Sequence, residues 1–334
     1  MSLLRLENLS VTYRSADGPV PAVRGVTLDV EAGTTLGVAG ESGSGKSTLA
    51  ATVLRLTPAS AKVEGRVLLD GEDVLDMSFG RLRAVRWAEA AIIFQGALHS
   101  LNPLRRVGQQ IAEPILLHDT KVSRRQADTR VGDLLGQVGL AARLGSSYPH
   151  QLSGGQKQRI MIAMALACKP RLLIADEPTT ALDVMVQAQV LDLLGSLVRD
   201  LGLGLVVISH DLSVLGSACD RLAVMYAGRI VEEGPSAEVL ERPRHPYTRA
   251  LSAAFPTIGD QSARYAPHGL PGDPPWPGDL PSGCPFHPRC PEAVDLCRTD
   301  DVALRDCESH RHRAACVHVG TLGTVGTEAR ESPA

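Results

Sequence analysis

Residues Gly40-Glu41-Ser42-Gly43-Ser44-Gly45-Lys46-Ser47 set three glycines, a lysine and a hydroxyl at the spacing GxxxxGK(S/T). Glycines at these positions let successive backbone N–H groups curl around a phosphate. Lys46 then reaches the outer phosphate oxygens, Ser47 offers its hydroxyl to Mg2+, and Thr48 continues the same turn. Further along, the apolar run Leu172-Leu173-Ile174-Ala175 ends in Asp176-Glu177. A carboxylate at the end of a buried strand suits Asp176 to hold Mg2+ through its water shell, and the neighbouring Glu177 is placed to act as general base toward a water molecule. Many strands end in an acid, so this pair gains its weight from following the glycine loop. Between the two lies Leu152-Ser153-Gly154-Gly155-Gln156, where Ser153, Gly154 and Gly155 open a helix over 156–168 and present N–H groups and a hydroxyl to an anion.

The elements needed to position these groups are legible around them. Alternating segments near Leu4–Tyr13 and Val20–Val30 read as antiparallel strands joined by a turn at 15–18. Thr35–Ala39 reads as a short buried strand running into the glycine loop, with helical spacing from Ser47 through Leu56. From about 98 to 149 the pattern is mostly helical, with breaks expected at Pro103, Pro114 and Gly145–Ser147. Strands at Leu172–Ala175 and Leu205–Ser209, separated by a helix at Val184–Leu201, predict a parallel sheet flanked by helices. Composition changes after Gly234, and nine of the 22 prolines fall between Pro267 and Pro291, which argues for an extended arm. The last dozen residues, rich in Gly, Thr, Glu and Ser, are expected to be disordered.

The chain has 334 residues, 44% of them hydrophobic, and 34 basic against 37 acidic side chains for a net charge of −3. That length suits one large α/β domain with an addition. The charge balance gives no electrostatic reason to expect a nucleic-acid partner. No apolar stretch near the start resembles a signal peptide, so the expected location is the cytoplasm. The longest apolar run, Ile160–Cys168, spans nine residues, about half of what a membrane-crossing helix needs. Of seven cysteines, Cys284, Cys290, Cys297, Cys307 and Cys316 are gathered near the end. In a reducing compartment such a group points to metal or cofactor ligation. The spacing C-x5-C-x6-C-x18-C through Cys284, Cys290, Cys297 and Cys316 leaves zinc and iron–sulfur both open. Cys307 is the odd thiol, and His287, His310, His312 and His318 are alternative zinc ligands.

The glycine loop, Gln151-Leu152-Ser153-Gly154-Gly155-Gln156 and Asp176-Glu177, in that order, resemble the ATP-binding cassette (ABC) family. The resemblance implies a P-loop NTPase cassette with a RecA-like parallel core, an antiparallel β subdomain and a helical subdomain, binding ATP and Mg2+. It carries further roles to single positions. Tyr13 stands where an aromatic stacks on adenine, Gln95 where a glutamine touches Mg2+, and His210 where a histidine bonds the γ-phosphate. Ser153, Gly154, Gly155, Gln156 and Asp183 stand where a second cassette's ATP is met in trans. The resemblance further implies that ATP closes a dimer and hydrolysis at Glu177 opens it.

Further strings narrow the resemblance, namely Ile93-Phe94-Gln95, Ser100-Leu101-Asn102-Pro103, Met161–Ala167, Asp176–Asp183 and His245-Pro246-Tyr247-Thr248. Together they look like the first of the two ATPases of bacterial dipeptide and oligopeptide importers. Where that family has an acidic residue and proline after the glutamine, this chain has Gly96-Ala97. Gly283-Cys284-Pro285-Phe286-His287-Pro288-Arg289-Cys290 resembles the family's C-terminal region, which implies a 4Fe-4S cluster on Cys284, Cys290, Cys297 and Cys316. Four segments are expected: a cassette over 1–235 with its helical subdomain at about 96–160, a proline-rich arm over 236–283, a cysteine-rich appendage over 284–318, and a tail over 319–334. The implied partners are a paralogous second ATPase, two transmembrane permeases and an extracytoplasmic binding protein, at the cytoplasmic face of the membrane. Nickel, glutathione, opine or sugar import and a soluble non-transport ATPase are the alternatives.

Overall fold

The computed structural model describes residues 2–96, 100–180, 182–254, 270, 272–308 and 311–319. Ala97, Ala181, Pro267, Pro271, His310 and the tail from 320 lie outside the described residues.

Two long strands, β1 (Ser2–Ser15) and β2 (Gly18–Glu31), pair antiparallel through a tight turn, as their alternation predicts. With β4 (Lys62–Leu69) and β5 (Glu72–Asp73) they form a four-stranded antiparallel sheet in the order β2-β1-β4-β5, followed in the chain by the short helix α2 (Phe79–Val85). The second sheet is built on β3 (Thr35–Ala39), β6 (Ala90–Ile93), β7 (Leu172–Asp176), β8 (Gly204–Ser209) and β9 (Arg221–Tyr226). The β9-β3-β8-β7-β6 portion is parallel throughout. Every residue of β3, β7 and β8 is buried, which explains their uninterrupted apolar runs. One face of this sheet packs on the antiparallel sheet and α1 (Lys46–Val53) through Leu36, Val38, Leu49, Ile174 and Ile208. The other face packs on α6 (Val184–Leu201) and α7 (Leu212–Ala218) and reaches a helical subdomain.

That subdomain consists of α3 (Val107–His118), α4 (Arg124–Gln137) and α5 (Gly154–Ala165). Pro114 does not break α3 as expected but lies buried inside it. Packing of Ile111, Pro114 and Ile115 outweighs the single helical hydrogen bond that a proline forfeits. The first helix, in turn, stops at Val53 rather than Leu56, because Leu54 leaves the helical region and Arg55 has a left-handed backbone.

The C-terminal third departs most from expectation. The first part of the expected arm folds as α8 (Ser236–Glu241) and α9 (Pro246–Ala254), with Val239, Tyr247 and Leu251 buried in the main core. Beyond it, β11 (Arg305–Asp306) and β12 (Arg313–Ala314) extend the main sheet through β10 (Arg229–Pro235), giving the order β11-β12-β10-β9-β3-β8-β7-β6. The junction is polar. Glu232, 0% exposed, accepts from the Arg244 and His245 N–H groups at 2.7 and 2.8 Å and pairs with His312 Nε2 at 2.7 Å. The cysteine-bearing segment is therefore joined to the sheet rather than hung from it. No helix among the described residues is long and apolar enough to cross a membrane.

Candidate active site

Parallel strands bring their carboxyl ends to one edge, where an open α/β sheet forms its crevice. Here β3 delivers Gly40 to Ser47, β7 delivers Asp176-Glu177, β8 delivers Ser209-His210, and β6 delivers Gln95 two residues beyond its end. Sheet order places β8 between β3 and β7 and sets β6 beside β7, so residues scattered over 170 positions converge.

The glycine loop depends on the absence of side chains. Gly45 has φ +100°, and a Cβ there would meet the Ala22 carbonyl oxygen at 2.1 Å; at Gly40 it would meet that of Met225 at 2.2 Å. At Gly43 a Cβ would meet nothing within 4 Å, and its φ of +79° is what favours glycine. Lys46 Nζ donates to the carbonyls of Gly40 and Glu41 at 2.7 and 2.8 Å and to Ser44 Oγ at 3.3 Å. Burial lowers its pKa, opposed by the charges of Glu177, Asp176 and Glu41. Tyr13 Oη donates to Thr48 Oγ1 at 3.2 Å, which sets the Tyr13 ring over the start of α1.

Asp176 is buried, and that burial raises its pKa, while a hydrogen bond from Ser47 and the charge of Lys46 lower it. Its Oδ1 has no hydrogen-bond partner. A hydroxyl and a carboxylate with one unsatisfied oxygen form the all-oxygen donor set that Mg2+ takes, so these residues fit that ion. Glu177 has φ +47°, a left-handed backbone that non-glycine residues adopt at a cost and that clusters at functional sites. Its N–H is held by the Ile208 carbonyl at 2.9 Å. Its Oε2 accepts from Gln95 Nε2 at 3.1 Å and Thr180 Oγ1 at 2.8 Å, and its Oε1 lies 3.6 Å from His210 Nδ1. Two donors orient this carboxylate, and His210 stands beside it.

Ser153, Gly154, Gly155, Gln156 and Asp183 form a second group. Ser153 caps α5 in a reciprocal box with Gln156, at 3.3 and 3.0 Å. Asp183 caps α6 by accepting from the Val186 N–H at 3.0 Å. A Cβ on Gly155 would stand 2.8 Å from a Val186 methyl, so the two helix starts interlock. Beside them Met185 is 72% exposed.

Thr180, Arg289 and Tyr247 also contact the site, although the sequence alone assigns them no role. All three lie inside strings that carry the resemblance, but Arg289 and Tyr247 are over 200 residues from the loop they touch. Arg289 forms a two-pronged ion pair with Glu41 at 2.8 and 3.0 Å, and Tyr247 Oη accepts from the Glu41 N–H at 2.9 Å.

Cys284, Cys290, Cys297 and Cys316 lie within electrostatic reach of one another. Burial raises the thiol pKa of Cys284 and Cys290 and pushes that of Cys316 to about 11, and the neighbouring cysteines push in the same direction. Cys307 responds instead to burial, Glu232 and Arg244, and stands apart. Among the described residues no three His, Cys, Asp or Glu side chains are grouped to hold a single metal ion. Of the histidines weighed as zinc ligands, the three described ones have other partners. His312 pairs with Glu232, His287 with the Cys284 carbonyl and His318 with the Glu292 carbonyl.

A glycine-loop cradle, an acid pair at the end of β7 whose glutamate is oriented, and a separate capped glycine-rich helix start together define a P-loop ATPase of the ATP-binding cassette class. The comparisons agree. Residues 23–180 match the ABC transporter family and residues 231–297 the oligopeptide/dipeptide transporter C-terminal region. The chain is 42% identical over 297 residues to the oligopeptide transport ATP-binding protein OppD of Salmonella typhimurium, covering 88% of each. It is 45% identical over 310 residues to the dipeptide transport ATP-binding protein DppD of Escherichia coli, covering 91% of this chain and 93% of that one. Among solved structures, the dimeric bacterial ABC transporter cassette MJ0796 superposes with a TM-score of 0.63 at 29% identity, over 70% of this chain and 98% of that one. The chain belongs to the family of ATP-binding subunits of oligopeptide and dipeptide ABC transporters.

Proposed function

We propose that this chain hydrolyses ATP to power the import of dipeptides or oligopeptides, working at the cytoplasmic face of the membrane. Its partners in this reading are a paralogous second ATPase, two transmembrane permeases and an extracytoplasmic binding protein. The observation that carries the catalytic part is the Glu177 carboxylate, held by Gln95 and Thr180 with His210 alongside, next to the buried Asp176. The cargo is supported by the oligopeptide and dipeptide transport proteins that share most of the chain.

In this mechanism Gly40, Ser42, Gly43, Ser44, Gly45, Lys46 and Thr48 wrap the phosphates with backbone N–H groups, the ammonium and hydroxyls, and Tyr13 meets the adenine. Ser47, Gln95 and Asp176 would hold Mg2+, which would supply charge neutralisation to the phosphate oxygens. Glu177 takes the proton of the attacking water, and His210 bonds the γ-phosphate. Ser153, Gly154, Gly155, Gln156 and Asp183 meet the ATP of the second cassette. In that arrangement two nucleotides close the dimer, and cleavage at Glu177 releases it.

The same proposal assigns a 4Fe-4S cluster to Cys284, Cys290, Cys297 and Cys316. Support comes from four cysteines in mutual electrostatic reach and from the match of residues 231–297 to the oligopeptide/dipeptide transporter C-terminal region. When bound, the cluster would supply a covalent crosslink among these loops and a one-electron couple. Protein purified without oxygen should carry iron and visible absorbance that Cys290→Ser removes; a colourless protein with stoichiometric zinc overturns this part. The transport reading is tested by uptake of labelled dipeptides and longer peptides in cells whose only copy carries Lys46→Ala. Uptake should collapse, and uptake equal to wild type overturns peptide as the cargo.

A further inference from the structure

The phosphate loop is held from outside by the cysteine-bearing segment. Arg289, next to Cys290, is 6% exposed in its side chain, a depth at which a guanidinium needs fixed partners. It has them in the Glu41 carboxylate at 2.8 and 3.0 Å and in Tyr226 Oη at 3.3 Å, with the Tyr226 and Phe286 rings each 5.9 Å away. Tyr226, Tyr247 and Phe286 pack ring against ring at centroid distances of 4.5 to 5.4 Å. They form the wall against which this ion pair is set. Tyr247 also accepts from the backbone N–H of Glu41.

Glu41 is a member of the loop, not a bystander. Its carbonyl accepts from Lys46 Nζ, and also from the N–H of Ser44 at 3.2 Å. Both ends of this residue, carboxylate and N–H, are thus fixed by side chains from beyond position 240, and its carbonyl is fixed by the lysine that reaches for phosphate. On the cysteine side Arg289 is as firmly set. His287 N–H donates to the Cys284 carbonyl at 3.0 Å, Arg289 N–H to the Phe286 carbonyl at 3.0 Å, and Cys284 N–H to the Cys297 carbonyl at 2.9 Å. Pro274, Pro275, Trp276 and Pro277 share a cavity of about 320 Å³ with Glu41 to Ser44, so the C-terminal region approaches the loop at a second place.

We infer that Arg289 is a positioning residue for the phosphate loop, and that through the Arg289–Glu41 pair the order of the cysteine segment and the affinity for ATP are coupled. This rests on the reading that Gly40–Thr48 binds ATP. A loop whose second residue is already pinned loses less freedom when phosphate binds. Coupling of this kind is reciprocal, so the nucleotide must in turn rigidify the segment around Cys284–Cys297. A change there, such as loss of a bound metal group or oxidation of a thiol, would be felt at the P-loop without contacting it.

The test uses full-length wild type, Arg289→Lys, Arg289→Ala, Glu41→Gln and the double variant Glu41→Gln/Arg289→Ala. Equilibrium binding of a non-hydrolysable ATP analogue with Mg2+ and amide hydrogen exchange of Gly283–Thr299 are measured on each. Arg289→Ala should weaken binding roughly tenfold, within the usual range of such couplings, and raise KM far more than it lowers kcat. Arg289→Lys should fall between, because an ammonium cannot make the two-pronged bond. The double variant should lose little more than either single one, since both remove the same pair. In wild type the analogue should slow exchange across Gly283–Thr299, and in Arg289→Ala that protection should disappear. An unchanged dissociation constant in both Arg289 variants, or protection that persists without the pair, overturns the inference. A wild type that binds no analogue overturns the nucleotide reading on which it stands. If Arg289→Ala does not fold, Arg289→Lys and Glu41→Gln decide it by the same two readouts.

Discussion

Glu177→Gln separates binding from chemistry, and the structure indicates why it should do so cleanly. Both donors to this side chain, Gln95 Nε2 and Thr180 Oγ1, converge on Oε2, while Oε1 faces His210 Nδ1. A glutamine in the same rotamer keeps its carbonyl oxygen at the Oε2 position and turns its amide NH2 toward His210. No donor is orphaned, so the fold should hold within about 0.5 kcal/mol, the usual scatter of a substitution that breaks no network. Removing one negative charge beside Lys46 and Asp176 also lessens repulsion of the triphosphate, so ATP affinity should stay equal or rise. What is lost is the proton acceptor. General-base catalysis typically contributes 10²–10⁴-fold, so turnover should fall by that factor, about 3–5 kcal/mol of barrier. Phosphate release measured beside equilibrium ATP binding, with and without the second ATPase, reads both quantities. Turnover within threefold of wild type refutes the assignment of Glu177 as base; loss of ATP binding refutes the claim that the amide is accommodated.

Other perturbations address the surroundings of the site. Gly45→Ala puts a Cβ at φ +100°, 2.1 Å from the Ala22 carbonyl, so it should cost at least about 2 kcal/mol in denaturant unfolding and abolish ATP binding; wild-type behaviour in both refutes the loop geometry. Glu232→Ala orphans three donors at a fully buried site. At about 1–3 kcal/mol each it should cost several kcal/mol, and it should open the segment beyond Cys307 to protease before the rest of the chain. Cleavage and stability equal to wild type count against the junction. His245 is neutral in the fold, because burial lowers its pKa from 6.5 to about 4 and its Nδ1 accepts from the Tyr247 N–H. The unfolded chain therefore binds the proton more tightly than the native one. The associated stability is complete above pH 6.5 and is lost as pH falls toward 4, by about 2 kcal/mol at pH 5. His245→Asn, whose amide oxygen can take the same N–H, should remove that slope from unfolding curves between pH 7 and 5; a parallel curve for the variant refutes the attribution.

The parts legible in the sequence are those where a residue type answers to a local backbone demand. Gly40, Gly43 and Gly45 announce the loop because its positive-φ backbone penalises any side chain, and at Gly40 and Gly45 a Cβ would also strike a carbonyl oxygen. The span of α6 could be read to the residue, since Asp183 caps its start and Gly202 adopts the left-handed conformation at its end. The acid pair was visible because a buried strand must end where polarity returns. What stayed hidden depends on contacts between distant segments. The two-residue strands β11 and β12 carry too little periodicity to register, and their addition to the sheet is decided by His312 meeting Glu232, 80 residues away. Tyr247 reads as part of a short family string, and only the fold reveals that its hydroxyl serves Glu41. Pro114 was misread because proline's local preference is broken by the packing of its neighbours in α3.

The energetic character of the site follows from two buried charges that their surroundings disfavour. Burial pushes Lys46 toward its neutral amine and Asp176 toward its neutral acid, and an unsatisfied Asp176 Oδ1 adds to the cost. Glu177, held at a positive φ, adds backbone strain. Such costs survive only where the rest of the fold over-determines the geometry. Here the carboxyl ends of β3, β7 and β8 do so, their strands buried along their whole length and locked in parallel register. A ligand presenting negative oxygens to Lys46 and a divalent cation to Asp176 relieves both disfavoured charges at once, which neither ligand component does alone. The Arg289–Glu41 pair extends that logic to the far wall of the loop, where a third buried charge is already satisfied, and it ties the cradle's shape to a segment that never touches the phosphate.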